Sequence, residues 1–430
     1  MTTTTLDQTV SQAIANAIVD PLAYQDGSVD AAFAAIRALP GLTQVQPDDY
    51  TPIWVVSRHA DIMAIEKRAD VFQNAPRSST ISPIASEMAV KFLTGGEANL
   101  IRSLVAVDGG EHKALRGVVF PAMTPQAIRK LEDDVRVIAR EFVNQTLPMA
   151  AACDFAEDIA FWYPLRVIMT VLGVPPEDER HLMQLTQELF SPGDPELNRI
   201  KQEVTPAEAL QLLVQTNADL EAYFADVTTR FRAAPDDGKV NSLIANATID
   251  GEYLSHRQIM GYYIIAATAG HDTTSNATAG AMWALAERPD ILAALQADPS
   301  LIGAFVDESI RWTTPVKHFM RTAAIDTDHA GAAIKAGDWL MLSYHSANQD
   351  ESAFDAPHEF RLDRKPNKQV AFGYGPHVCI GQHLARMEMR VLWEELIPRL
   401  ASVELTGTPE RTRSNFVCGP KHVPIRFTVQ

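Results

Sequence analysis

The chain has 430 residues, and 37 Lys and Arg stand against 54 Asp and Glu, a formal net charge of −17. Binding to phosphate backbones needs a large basic surface, so this balance argues against nucleic acid as a partner. A hydrophobic fraction of 46% with 21% charged residues excludes wholesale disorder, and three widely spaced cysteines (Cys153, Cys379, Cys418) exclude a disulfide framework or a four-cysteine zinc site.

Residues 1–20 lack a basic stretch followed by an apolar run, so no secretory leader is expected. No apolar run approaches about 18 residues, so no membrane anchor is expected and the cytoplasm is the default location. Trp54-Val55-Val56 reads as a short strand, and the apolar spacing over 59–65 predicts a helix. Residues 76–110 read as irregular, because Pro76, Pro83, Gly95, Gly96, Gly109 and Gly110 interrupt helices. Amphipathic patterns predict helices at about 125–147, 159–174, 206–233 and 256–287. Between the second and third, residues 190–206 carry Ser191-Pro192-Gly193-Asp194-Pro195 and read as a loop. Strands return after 315, notably at 339–342 behind the turn Ala336-Gly337-Asp338, and at 423–429. No repeat or linker divides the chain. Residues 1–430 therefore read as one domain, mainly α with small peripheral β-sheets.

The richest chemistry lies late. Residues 373–381 contain Gly373, Gly375, Gly381 and Pro376, which cannot continue a helix, whereas 382–390 are strong helix formers. Cys379 thus sits on a tight loop at a helix start, where backbone N–H groups and the positive helix end favour a thiolate. Such a sulfur is a metal ligand or a nucleophile; a cysteine protease would also need a paired histidine, which sequence alone leaves open. A dinucleotide reading of Gly373-Tyr374-Gly375 fails, since Pro376 intervenes and no parallel-strand unit precedes it.

The middle of the longest helical pattern is unusual for a packed element. Small residues at 266, 267, 269 and 270 open space for a flat object, and Asp272 in a buried helix centre is costly without a partner.

The string from Phe372 to Arg386, FGYGPHVCIGQHLAR, resembles the haem-binding loop of the cytochrome P450 monooxygenases. The resemblance extends from about residue 50 to the end. It implies a triangular helical prism around a buried haem b, with Cys379 as axial ligand to iron and Phe372, Gly373, His377 and Gly381 in the loop beneath the cofactor. A thiolate in that position favours O–O cleavage. Ala269-Gly270-His271-Asp272-Thr273-Thr274 resembles the family's oxygen-activating motif. By that likeness Thr273 and Asp272 are the catalytic pair that delivers protons, Ala269 and Gly270 border the cofactor, and Ile265, Thr268 and Ala269 face substrate. Three further segments match residue by residue. His112 with Arg116, then Arg321, then His377 would hold the propionates, and Glu308, Arg311 and Arg364 would brace the frame.

No flavin, nicotinamide or iron–sulfur motif is present, so the resemblance implies electrons from a 2Fe–2S ferredoxin and its NAD(P)H-dependent reductase. Lys113, Lys365 and Lys368 are the basic residues expected near the haem edge. Residues 268–274, 311–317, 319–322, 341–344 and 419–428 look like the bacterial terpineol-oxidising branch. The expected reaction uses O2 to hydroxylate a small apolar substrate (a monoterpene, alkylbenzene or polycyclic arene), with specificity set in 76–107 and 180–205. Two alternatives stand beside it. One is a non-haem iron oxygenase built on His59-Ala60-Asp61; the other is a haem protein that only senses or carries a small ligand, for which Asp272-Thr273 would have no use.

Overall fold

The computed structural model describes residues 10–234 and 239–430; residues 1–9, part of the stretch read above for a leader, lie outside the described residues. The helix His256–Glu287 runs through the middle of the molecule for 32 residues, about 48 Å at ~1.5 Å per residue. Its start is fixed by a reciprocal cap: the Ser255 hydroxyl accepts from Gln258 N at 3.3 Å, and the Gln258 side chain accepts from Ser255 N at 3.0 Å. Buried residues occur on all its faces, which suits a helix enclosed by others. Around it pack Trp162–Leu172, Glu179–Phe190, Pro206–Ala233, Ile302–Thr313 and Gln382–Leu396, and Glu132–Thr146 lies against the last of these.

The sheets lie at the periphery, as the sequence suggests. The largest has five strands in the order Thr43–Val45, Ile53–Val56, Trp339–Ser343, His318–Ala323, Phe72–Gln73. Its centre pairs Leu340 with Trp54 in parallel and with Arg321 antiparallel. This register places Arg321 on the strand beside the cavity described below. A three-stranded sheet joins Leu400–Leu405, Pro424–Val429 and Cys153–Asp154.

Two expected helices, 206–233 and 256–287, appear with those bounds. The pattern at 125–147 breaks into Pro125–Arg129 and Glu132–Thr146, and the one at 159–174 becomes Trp162–Leu172 behind a wider turn at Ala156–Ala160. Residues 76–110 depart most from expectation, because they contain the helix Ile84–Thr94. Pro83 stands just before its first residue and Gly95, at φ +72°, ends it. The breakers flank a helix there; they do not interrupt one. Residues 191–205 carry no helix, as expected. Among the described residues, no helix is long and apolar enough to cross a membrane.

Candidate active site

A cavity of about 810 Å³ lies between the central helix and the loop before Gln382–Leu396. Ile265, Thr268, Ala269, Gly270 and Thr273 line one side of it; Phe372, Gly373, His377, Cys379 and Gly381 line the other. Two segments about 100 positions apart in the chain, singled out separately by their composition, therefore share one chamber.

The loop is held by its own backbone and by distant residues. Cys379 N donates to the Phe372 carbonyl at 2.8 Å, and Gly373 N to Val370 at 2.9 Å. Gly373 and Gly375 adopt φ +67° and +69°. A Cβ on Gly375 would run into the Glu66 carbonyl, so glycine there is required by close approach as well as by dihedral angle. The helix-start argument for Cys379 is half correct. Burial pushes the thiol up, while the Gly381 and Gln382 backbone N–H groups and the Arg116 and Arg386 charges pull it down; burial wins. The sulfur becomes an anion when a metal cation binds it, since coordination deprotonates a thiol outright.

The propionate candidates gather at one end. His112 and Arg116 project from one face of the helix Gly109–Val119, and both line the cavity with Arg321 and His377. His112 stacks on His377 with ring centroids 3.8 Å apart. Its Nε2 is buried without a hydrogen-bond partner, an orphan that a carboxylate would satisfy. Burial, then the His377 and Arg116 charges, lowers the His112 pKa to about 4, so the ring is neutral at neutral pH. Arg116 Nη2 donates to the Val378 carbonyl at 2.8 Å, next to the cysteine. Arg321 donates to the Met320 carbonyl at 2.9 Å and to Glu66 Oε1 at 2.8 Å. A half-buried thiol, two arginines, an orphaned ring nitrogen and apolar walls form a donor set that fits an iron porphyrin with two carboxylates.

On the central helix, Thr273 donates to the Ala269 carbonyl at 2.7 Å and Thr268 to Ile264 at 2.7 Å. Both hydroxyls are turned back on the helix, so either must rotate away from its carbonyl to donate into the chamber. Asp272 is buried, its Oδ2 has no partner, and burial raises its pKa well above the ordinary value. The space beside Gly270 is filled by Ile168: an added Cβ would lie 2.9 Å from Cδ1 of that side chain. The small residue at 270 therefore serves helix packing as well as the chamber, a use the sequence reading did not foresee.

Glu308, Arg311 and Arg364 meet as expected, at 2.7 Å (Arg311–Glu308) and 2.9 Å (Arg364–Glu308), with Glu308 0% and Arg311 1% exposed. The non-haem triad does not form. His59 Nε2 bonds the Lys368 carbonyl at 2.7 Å while Asp61 pairs with His329 at 3.0 Å. Lys113, Lys365 and Lys368 are exposed. Two buried acids escaped sequence reasoning. Glu66 ends the helix His59–Glu66, and Glu388 lines the cavity from Gln382–Leu396, where burial pushes its pKa well above the ordinary carboxylate value against the pull of a hydrogen bond with Thr274. Each sits four positions after an apolar core residue (Ile62, Leu384), and that is the signal that could have exposed them.

Comparison with known proteins agrees with this geometry. The cytochrome P450 family profile matches residues 48–425. Cytochrome P450-terp of a Pseudomonas species is 43% identical over 422 residues, covering 98% of each chain. A steroid C26-monooxygenase of Mycolicibacterium smegmatis is 33% identical over 87% of this chain and 83% of its own. The crystal structure of CYP108D1 from Novosphingobium aromaticivorans superposes with a TM-score of 0.89 at 41% identity, covering 98% of this chain and 99% of that one. CYP268A2 of Mycobacterium marinum, solved in complex with pseudoionone, gives 0.84 at 29% identity, covering 98% of each chain. With a cysteine loop and the Thr273 turn of the central helix facing one chamber, in a chain matched along nearly its whole length, the protein belongs to the cytochrome P450 family of haem-dependent monooxygenases.

Proposed function

We propose that residues 1–430 act as one catalytic domain in the cytoplasm, hydroxylating a small apolar compound with O2 and electrons from a 2Fe–2S ferredoxin and its NAD(P)H-dependent reductase. The observation that carries this reading is that Cys379 and Thr273 line the same cavity of about 810 Å³. That volume lies in the range of a single ligand site, yet here it must hold both cofactor and substrate, which favours a compact substrate. A relative named for terp and a neighbour solved with pseudoionone support the same class, a monoterpene foremost, with alkylbenzenes and polycyclic arenes next.

In this reading Cys379 ligates the iron of haem b, while His112, Arg116, Arg321 and His377 hold its carboxylates. Bound there, the haem supplies the redox chemistry that splits O2. The chain's own residues bind, orient and move protons. Ile265, Thr268 and Ala269 present an apolar wall, so substrate is positioned by shape. Asp272, neutral and buried, has a proton to give; the Thr273 hydroxyl, which both accepts and donates, passes one toward oxygen. The mostly apolar walls of the chamber disfavour bulk water, which helps keep delivery on that route. Lys113, Lys365 and Lys368 would attract an acidic electron carrier to the exposed face.

The test is turnover of candidate hydrocarbons with a supplied ferredoxin and reductase, following NADH consumed and hydroxylated product formed. Formation of hydroxylated product in step with NADH is the expected result. A protein that binds haem and small ligands but consumes no NADH with any of these classes would point to a sensor or carrier.

A further inference from the structure

Glu66 is 3% exposed and makes more buried polar contacts than its place at a helix end explains. Its Oε1 accepts from Arg321 Nη2 at 2.8 Å and from the Tyr344 hydroxyl at 2.7 Å; its Oε2 accepts from Tyr374 N at 2.7 Å. All three partners are donors. Arg321 and the Tyr374 N–H can only donate, one to each carboxylate oxygen, and the guanidinium brings a positive charge, so this arrangement favours the ionised carboxylate. Burial raises the Glu66 pKa, and the Arg321 charge, the Tyr344 hydroxyl and the Tyr374 N–H offset only part of that rise. The residue's main chain matters as well, because its carbonyl is what Gly375 packs against.

Glu66 thus ties together three elements that meet at the porphyrin-carboxylate end: its own helix, the strand carrying Arg321, and the loop carrying Cys379. The charges there balance before any ligand arrives. Arg116 and Arg321 are positive. Asp108, held at about 2 by hydrogen bonds from His377, Ala75 and Asn74 that overcome its burial, is negative, and pairing with Arg321 favours a negative Glu66. Burial keeps His112 neutral and lowers the His377 pKa.

We propose that Glu66 is a positioning residue for the cofactor: it fixes Arg321 and the Tyr374 N–H in one arrangement and places a buried negative charge at the carboxylate end of the pocket. That charge stabilises the ferric over the ferrous state. The inference rests on the haem-thiolate reading above.

The test compares holoenzyme carrying Glu66→Gln with wild type and with Tyr344→Phe, which removes one donor but leaves the charge. Two readouts are needed: the ferric/ferrous midpoint potential, and hydrogen exchange of the peptide containing Tyr374. In Glu66→Gln the midpoint rises, so that the ferrous/ferric ratio at a fixed potential increases about tenfold, and the Tyr374 region exchanges faster. Tyr344→Phe leaves the midpoint at the wild-type value. An unchanged midpoint in Glu66→Gln overturns the proposal, whether or not exchange accelerates, since faster exchange alone is what a purely structural residue would give. The carbon-monoxide spectrum of the reduced wild type separates the two layers. Without its red-shifted band the haem-thiolate reading itself falls; with the band and an unmoved potential, only the role of Glu66 does. Should Glu66→Gln fail to hold haem, Glu66→Asp, which keeps the charge but shortens the reach, must hold haem at the wild-type midpoint while the Tyr374 region exchanges faster; a shifted midpoint in that variant overturns the proposal.

Discussion

Nδ1 of His271 faces Oδ1 of Asp272 at 3.3 Å, while Nε2 of the same ring bonds the Phe161 carbonyl at 2.8 Å. A carbonyl only accepts, so Nε2 carries the proton. Burial lowers the His271 pKa to about 4, which leaves Nδ1 bare at neutral pH, within reach of the Thr186 hydroxyl at 2.9 Å. A lone pair opposite a carboxylate would repel it, whereas a protonated carboxyl can face it. The raised pKa of Asp272 and the neutral ring thus describe the same state, an acid that rests with its proton on.

That state has a signature in stability. The folded pKa of Asp272 is raised, so its contribution is full below the unfolded value, near 3.9, and is lost as pH rises toward the folded value. Asp272→Asn removes this dependence. Relative to wild type, the variant gains stability as pH rises from 5 to 8, by up to about 1.4 kcal/mol per pH unit. Thermal unfolding at a series of pH values would show it; parallel curves for the two proteins would mean that Asp272 is ionised in the fold.

Thr273→Ala removes the hydroxyl proposed to pass protons into the chamber but leaves the donor set for the cofactor in place. Haem content and the substrate-induced spectral shift should match wild type. Hydroxylated product per NADH should fall about tenfold or more, with the missing equivalents recovered as hydrogen peroxide. Fully coupled turnover in the variant would remove Thr273 from proton delivery.

How much of this was legible in the chain depends on range. The Cys379 loop could be read because its glycines and Pro376 announce their own dihedral angles, and the helix 256–287 because its apolar spacing is carried by neighbouring residues. The helix Ile84–Thr94 was hidden because Pro83 and Gly95 look the same whether they bound a short helix or break a loop. Glu66 was hidden for a different reason. Its partners Arg321, Tyr344 and Tyr374 lie 255, 278 and 308 positions away, and no local pattern encodes such a meeting. The neutrality of Asp272 was likewise out of reach, because it follows from burial and from the orientation of a ring that Phe161 fixes from another element.

Cys379→Ser offers a poorer donor in the same loop. The variant should keep the backbone bond from residue 379 to Phe372 and so remain folded, but lose the red-shifted band of the reduced, carbon-monoxide-bound protein. Retention of the band would assign the iron ligand elsewhere; Cys153 and Cys418 are buried and do not line the chamber.

Arg311 is the residue whose loss the fold should tolerate least. Besides its two bonds to Glu308 at 2.7 and 2.8 Å, it donates to the carbonyls of Asn348 and Pro357 at 2.8 Å and of Glu359 at 3.1 Å. Glu308 also serves Arg364 and Asn367, so the pair joins the helix Ile302–Thr313 to the segment leading into the cysteine loop. Arg311→Ala would strand a fully buried carboxylate with one fewer cation and leave the Asn348 and Pro357 carbonyls unpaired, while Glu359 keeps its bond from Arg364. Removing one partner of a buried pair costs about 3–5 kcal/mol, comparable to much of the stability of a typical protein. Arg311→Lys restores the charge but not the planar fork that reaches both oxygens and the carbonyls together, so it should recover only part of that loss. Urea titration of holoprotein should place the midpoints in the order wild type, Arg311→Lys, Arg311→Ala, with haem released alongside unfolding. A lysine variant as stable as wild type would mean that charge alone, and not the five-fold donation, holds this junction.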